Sequence, residues 1–337
     1  MNIYVLSTVN VGIDIVNSIK EKVKIKGIIG LSEREPTDDI SGYVFMESFS
    51  KQNNFQFIPV SNYSLKDPED KKQLLSLNID ILLVLGWQRL IPQWLIEHCN
   101  ITAIGAHGSP FGIVEGRGRS PQNWSLILDK HKFEISIFHI DSGIDSGNII
   151  DTSNFTINDF DDISTLYHKS GILTAKMIIK NIQNEKIQLK ESKPQSDNQF
   201  YLPQRLPRDG EIDWHRTTKN LYNFIRALTH PYPGSFCTLE SSKLYIWSAK
   251  PFEDESSYLP GTILKNFDNG KFLIKTLDGA LLVDNYSIFP KQTKISLKEG
   301  DILPSINFKT QIKRIIERHY SKYPQNELHP EILNLQN

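Results

Sequence analysis

The stretch Ile79-Asp80-Ile81-Leu82-Leu83-Val84-Leu85-Gly86-Trp87-Gln88 decides how the first half of the chain folds. Its apolar core, Ile81–Leu85, is the longest such run in the sequence and has the length of one buried strand. A membrane span needs roughly 18–20 apolar residues, so a membrane role is not expected. Working outward, Ile3–Leu6, Val23–Ile29 and Phe57–Val60 read as strands before it, and Ile101–Ala106 as the strand after it. Between the first two, Val11, Ile15, Val16 and Ile19 recur at helical spacing. Short strands separated by helices predict an α/β fold, a Rossmann-like, doubly wound and mostly parallel sheet. Such sheets bind ligands beyond the carboxyl ends of their strands, so the loops after Leu85 and Ala106 are where chemistry is expected.

Glu134–Ile140 and Ile149–Phe155 read as two further strands joined by a Gly-rich turn, and Ile163–Ile182 as a long helix. The chain then turns polar and Pro-bearing. Residues 1–190 are therefore expected to form the first domain, and 191–210 a linker. Within 211–305, one amphipathic helix (Thr217–Leu228) precedes five short strand candidates separated by turn residues. They are Phe236–Leu239, Leu244–Ala249, Gly261–Asn266, Lys271–Thr276 and Ala280–Tyr286, a pattern that suits a small open, OB-like β-barrel. Residues 306–337 read as a basic helix, Lys309–Lys322, and a polar tail expected to be poorly ordered.

With 337 residues, 39% hydrophobic and 23% charged, the chain has the make-up of an ordinary globular protein of two domains. Its 38 basic and 39 acidic side chains nearly cancel, which argues against a nucleic-acid partner, because nucleic-acid binders carry excess Lys and Arg. Cys99 and Cys237 cannot form a disulfide framework and read as reduced thiols. Met1–Leu6 starts in a strand pattern without a basic leader, so a cytoplasmic protein without a signal peptide is expected.

Three segments carry candidate chemistry. In Leu85-Gly86-Trp87-Gln88-Arg89-Leu90-Ile91-Pro92, Gly86 lets a planar ligand approach the backbone and Pro92 can open a helix. A plain strand-to-helix loop is the bland alternative. The second runs from Gly105-Ala106-His107-Gly108-Ser109-Pro110 to Glu115-Gly116-Arg117-Gly118-Arg119-Ser120-Pro121-Gln122-Asn123-Trp124. A His leaving a strand at the sheet's carboxyl edge is placed for proton transfer, and Arg117 and Arg119 offer guanidinium forks to an anion or simply form a solvated turn. The third, Ile140-Asp141-Ser142-Gly143-Ile144-Asp145-Ser146-Gly147, is a tight turn whose carboxylates Asx-turns would explain. No calcium loop, zinc cluster, Walker A loop or nucleophile elbow is legible, so no metal is expected.

Taken together, the His107-Gly108-Ser109 motif, the Gly116-Arg117-Gly118-Arg119-x-Pro121-x-Asn123-Trp124 run and the Asp141-x-Gly143-x-Asp145-x-Gly147 turn resemble the 10-formyltetrahydrofolate-dependent formyltransferases. That family includes methionyl-tRNA formyltransferase, glycinamide ribonucleotide formyltransferase and the sugar N-formyltransferases of polysaccharide and lipid A biosynthesis. Arg208-Asp209-Gly210-Glu211-Ile212-Asp213-Trp214 and Pro231-Tyr232-Pro233-Gly234-Ser235-Phe236 extend the resemblance to the open-barrel second domain of the methionyl-tRNA and UDP-4-amino-4-deoxyarabinose enzymes.

The resemblance implies a formyltransferase fold and 10-formyltetrahydrofolate as co-substrate. It implies His107 in proton transfer and Asp145 orienting it. It places the pterin near Gly86, Trp87, Gln88 and Leu90 and the turn bearing Ile140, Asp141, Gly143 and Asp145, and an amine donor near Ser109, Arg117 and Arg119. The family's usual set is Asn-x-His…Asp, but here the Asn position is Gly105. Losing such an oxyanion donor typically costs ~2.7–4 kcal/mol. A cationic His107, a backbone N–H or Asn123 would have to take over.

The tRNA enzymes carry a basic loop after the second strand, where this chain has the acidic stretch Leu31–Ile40. A nucleotide-linked amino sugar is therefore the expected substrate, with Arg205 as a third diphosphate ligand or a mere linker charge. A homodimer contact through the second domain is open. The alternatives are a methionyl-tRNA formyltransferase and an inactive folate-binding relative.

Overall fold

The computed structural model describes residues 1–33, 40, 42–182, 192–196, 199–240, 242–290 and 297–336. Most of the acidic stretch after the second strand, at 34–39, the end of the expected first domain, at 183–190, and residues 191, 197 and 198 of the expected linker lie outside the described residues. The chain forms two compact units. The first comprises 1–118, 132–156 and 167–200, and the second comprises 119–131, 157–166 and 201–337. By compactness the chain passes from one unit to the other several times.

The first unit is built on β1 (Ile3–Leu6), α1 (Asn10–Ile19), β2 (Ile25–Leu31), α2 (Glu47–Gln52), β3 (Gln56–Val60), α3 (Pro68–Leu75) and β4 (Ile81–Val84). It continues through α4 (Gln93–His98), β5 (Thr102–Ser109), α5 (Gly112–Glu115) and the short β6 (Arg117–Gly118). Its seven-stranded sheet has the order β3-β2-β1-β4-β5-β7-β8, with β7 at Lys132–His139 and β8 at Ile149–Thr156. Pairing is parallel from β3 to β5, and β7 and β8 are antiparallel additions.

The continuous apolar runs have a physical reason. Ile3, Val5, Ile81 and Leu83 join one core with Ile15, Val16 and Ile19 of α1 and Met177, Ile178 and Ile182 of α7 (Ile163–Ile182). Tyr4, Leu6, Leu82 and Val84 point the other way, into a core with Leu74 of α3 and Leu95 of α4. Both faces of the sheet are covered, so both sets of alternating side chains must be apolar. Each such Leu or Ile contributes about 1.5–3 kcal/mol by leaving water.

β5 is longer than its apolar run predicts. Its parallel pairing with β4 ends at Val84–Gly105, while its pairing with β7 continues to Ser109 opposite Glu134. His107 therefore lies on a strand that projects past the parallel part of the sheet, opposite Ser136.

The second unit contains α6 (Pro121–Ile127), β9 (Tyr201–Leu202), α8 (Thr218–Leu228), β10 (Ser235–Leu239), β11 (Ser242–Phe252), β12 (Ile263–Asn266), β13 (Phe272–Lys275) and β14 (Ala280–Phe289). The last five form an antiparallel sheet of order β10-β11-β14-β13-β12. Thr217 caps α8 by accepting from the Asn220 N–H, and the helix buries Leu221, Phe224, Ile225 and Leu228.

The tail differs from the sequence-based expectation. After α9 (Phe308–Lys322), the main chain of Tyr201 donates to Glu327 O at 2.8 Å and accepts from His329 N at 3.0 Å, and α10 (Pro330–Asn334) follows. Leu328 and Ile332 are fully buried. Two apolar residues spaced along a polar sequence are enough to anchor it.

No helix among the described residues is long and apolar enough to cross a membrane.

Candidate active site

Everything that meets at His107 comes from the first unit. Strand β5 carries the imidazole to the edge, where it is 9% exposed. Its Nε2 lies 2.8 Å from the carbonyl oxygen of Gly116, and its Nδ1 lies 3.3 Å from Asp145 Oδ2. A carbonyl can only accept, so Nε2 carries the hydrogen in this contact. A neutral ring then has no second hydrogen for Asp145. Protonation at Nδ1 turns the second contact into a charge-assisted one, for which the ordinary distance of ~2.7–2.9 Å is a little shorter than the one found.

Asp145 adopts φ +50, in the left-handed region, and its Oδ2 accepts from the Gly118 N–H at 3.1 Å. Gly116 and Gly118 thus grip the two partners from one short loop. Asp141, four residues earlier, closes an Asx-turn instead, accepting from Gly143 N at 3.0 Å and Ser146 Oγ at 2.6 Å. The two acidic residues of the turn are separated by function: one shapes the turn, the other faces the imidazole.

The loop after β4 lies in the same unit. Gly86 has φ +82, and a Cβ there would meet Val9 Cγ2 at 2.4 Å, so only glycine fits. Trp87 packs edge-on to Tyr63 at 4.7 Å, and the Tyr63 hydroxyl accepts from the Gln88 N–H at 2.9 Å. The Trp87 indole Nε1 is buried and has no hydrogen-bond partner among the described residues. Leu90 is 60% exposed.

Gly105 is closely packed rather than vacant. A Cβ at that position would approach Phe138 Cζ at 3.0 Å and Ile140 Cγ1 at 3.1 Å. The room an Asn would need is taken by these two side chains.

Other expected residues are placed differently. Ser109 is fully buried and its hydroxyl accepts from Phe111 N at 3.1 Å. Arg117 is 4% exposed, with its guanidinium donating to Gln195 and Gln199. Asn123 belongs to the second unit, where it is fully buried and its Nδ2 donates to Ala227 O at 2.6 Å. Its amide is engaged in packing α6 against α8, which does not match the oxyanion-donor expectation. The main-chain N–H of Arg119 donates to Leu202 O at 3.1 Å. Arg205 is neither a solvated linker charge nor an exposed ligand. It is buried over the rings of Trp124 and Phe224 and donates to Asp209 O. Burial pushes its guanidinium down to about 10.

Sequence reasoning quoted Gly116 within its motif without assigning its carbonyl a part, and did not find Tyr63, Phe138 or Gln195. Three act through a backbone group, a phenol or plain volume, and Gln195 lies far along the chain, so no local pattern marks them. No group of His, Cys, Asp and Glu suited to a metal ion occurs among the described residues.

Residues 7–182 match the family model described as "Formyl transferase", and residues 206–298 match "Formyl transferase, C-terminal domain". The chain is 28% identical over 219 residues to the methionyl-tRNA formyltransferase of Thermodesulfovibrio yellowstonii, covering 65% of this chain and 69% of that protein. It is 32% identical over 241 residues to the bifunctional polymyxin resistance protein ArnA of Wigglesworthia glossinidia brevipalpis, covering 68% of this chain but only 35% of ArnA. The N-formyltransferase from Helicobacter canadensis, solved with folinic acid and dTDP-3-aminofucose, is similar in fold, with a TM-score of 0.58 at 17% identity over 85% of this chain and 99% of that one. Two family models matched in order, one over each half, place this chain in the formyl transferase family, and the buried His107 beside the half-buried Asp145 is in keeping with it.

Proposed function

We propose that the protein moves a formyl group from 10-formyltetrahydrofolate to the amine of a nucleotide-linked amino sugar. The single observation that carries the reading is the buried His107 ring between two acceptors, Gly116 O and Asp145 Oδ2. An amine must lose a proton as it acylates, and a ring with a free Nδ1 beside a carboxylate is suited to take it.

The chain fits the folate. The buried Nε1 of Trp87 has no partner among the described residues, which a ligand's acceptor atom would supply, and the Gly86 turn brings main-chain groups to the surface beside it. Gly86, Trp87, Gln88 and Leu90, with Ile140, Asp141 and Gly143, would hold the pterin. Bound there, 10-formyltetrahydrofolate supplies the formyl group as a reactive amide. His107 accepts the amine's proton at Nδ1, and Asp145 balances the charge of the ring. Gly116 O keeps the ring turned so that Nδ1, not Nε2, faces Asp145. General base catalysis of this kind is worth ~10²–10⁴-fold. With Gly105 offering no donor and the Asn123 amide bonded to Ala227, the cationic ring and main-chain N–H groups remain as stabilisers of developing negative charge. The Arg117 guanidinium, engaged with two glutamines, is not assigned to the sugar diphosphate.

The near-zero net charge favours a small substrate over tRNA. The similarity to methionyl-tRNA formyltransferases is the observation behind a second reading. Incubating the protein with 10-formyltetrahydrofolate and, in parallel, dTDP-, UDP- and GDP-linked amino sugars or methionyl-tRNA at low salt decides between them. Formylation of a sugar nucleotide and not of methionyl-tRNA is expected. Transfer to the tRNA alone would overturn the sugar assignment, and transfer to none of them, with folate still bound, would point to an inactive relative.

A further inference from the structure

We propose that Gln195, held by Arg117, is a positioning residue that sets Asp145 against His107; the inference rests on the formyltransferase reading for the chemistry it serves. Asp145 needs such a support. A non-glycine residue in the left-handed region costs about 1 kcal/mol or more, at the low end for an Asp, and is held there by its surroundings. Gln195 supplies that hold. Its Nε2 donates to Asp145 O and to Gly147 O, each at 2.8 Å, closing the turn on both sides of Ser146.

The amide cannot sit the other way round. Its Oε1 accepts from Arg117 Nη2 at 2.6 Å, and a guanidinium only donates, so Nε2 must face the two carbonyls. Arg117 is fixed in turn, because its second terminal nitrogen donates to Gln199 Oε1 and its main-chain N–H donates to Phe200 O at 3.1 Å. The segment bearing Gln195 is anchored to the sheet by a reciprocal main-chain pair between Lys193 and Ile149, 2.8 Å in each direction.

Three successive residues therefore organise the pair. Gly116 O holds the His107 ring, Arg117 holds the Asp145 backbone through Gln195, and Gly118 N holds the Asp145 carboxylate. The hydrogen bonds described for the imidazole go to Gly116 and Asp145, not to Gln195 or Arg117. They act on it through Asp145.

Two variants separate positioning from plain stability. Gln195→Met removes all three hydrogen bonds of the amide. Gln195→Glu keeps an acceptor for Arg117 but loses both donated bonds. If Gln195 positions Asp145, both lower kcat by about 10- to 100-fold, the scale of a small misplacement at a reacting centre. KM for folate and for the amine changes less than about threefold, and Gln195→Glu is as slow as Gln195→Met although, keeping its contact with Arg117, it loses less in melting temperature. A Gln195→Glu enzyme with wild-type kcat would overturn the proposal. The ring ¹⁵N signals of His107, identified by their loss in His107→Gln, give a readout that needs no turnover. They should move in Gln195→Met, and unmoved signals would also overturn it. Moved signals in a protein that formylates nothing would leave the positioning contact standing and remove the formyltransferase reading alone.

Discussion

His107 in the first unit and Arg205 in the second are both buried side chains able to carry a positive charge, and their surroundings are opposite. His107 faces more acceptors than a neutral ring can serve: one carbonyl and one carboxylate for a single N–H. Arg205 faces fewer acceptors than it has hydrogens. Its Nε and Nη1 have no partner among the described residues, and two aromatic rings lie against it at 5.1 and 5.3 Å. An excess of acceptors around a titratable ring creates a place for a proton. An excess of donors around a stacked guanidinium creates only packing, because arginine does not give its proton up near neutral pH. Burial alone does not identify a site; the donor-to-acceptor balance does.

The comparison can be broken most sharply by His107→Gln. It should lower formyl transfer by about 10²–10⁴-fold with little change in melting temperature. A loss of less than tenfold, measured in single turnover, would contradict the role given to the ring. Arg205 should respond in stability instead. Arg205→Ala empties a long buried side chain and should cost about 2–5 kcal/mol by urea titration. Arg205→Met should match or exceed wild type, because buried charges are often replaceable by apolar groups. The Met change strands no carboxylate, since Asp209 is held by Arg318 at 3.1 and 2.5 Å.

Gly105→Asn, which restores the family's usual residue, should destabilise by ~1–3 kcal/mol, as overpacking does, because Phe138 and Ile140 fill the space. Unchanged stability would mean the pocket yields easily. Trp87→Phe should weaken folate binding by about 3- to 10-fold, the loss of one hydrogen bond, without lowering stability, since the indole N–H has no partner to lose.

The smallest effect concerns pH. Burial lowers the pKa of His139 in the first unit and of His319 in the second. Below the ordinary value of about 6.5 the unfolded chain then binds more protons than the folded one, so stability should fall as pH drops through that range. His319→Gln should flatten this decline, and an unchanged slope in thermal melts from pH 7 to about 5 would argue against it.

Much of the fold was legible because one physical rule dominates it. Strands covered on both faces must be continuously apolar, so Ile3–Leu6 and Ile81–Val84 stand out unaided. α3 escaped notice although Asp67 and Pro68 mark its start, with Asp67 accepting from Glu69 N and Asp70 N. The C-terminal tail was misread because average polarity hid the anchors Leu328 and Ile332. At the candidate site, His107 stood out locally because it leaves a strand among small residues, whereas Asp145 came only from the family resemblance, since an Asx-turn explained both carboxylates of its turn equally well. Arg117 and Asn123 were offered as site residues and Arg205 was left between a diphosphate ligand and a linker charge, because sequence does not tell a guanidinium facing solvent from one facing two glutamines or two rings. Gly116 acts through a carbonyl that every residue possesses, which no sequence pattern can mark.

The most direct test is a single-turnover transfer assay on folate-saturated protein, comparing wild type with His107→Gln while tryptophan fluorescence reports folate binding. The account predicts that the variant binds the folate with unchanged affinity and leaves the formyl group on it. Transfer at the wild-type rate without the imidazole would contradict it.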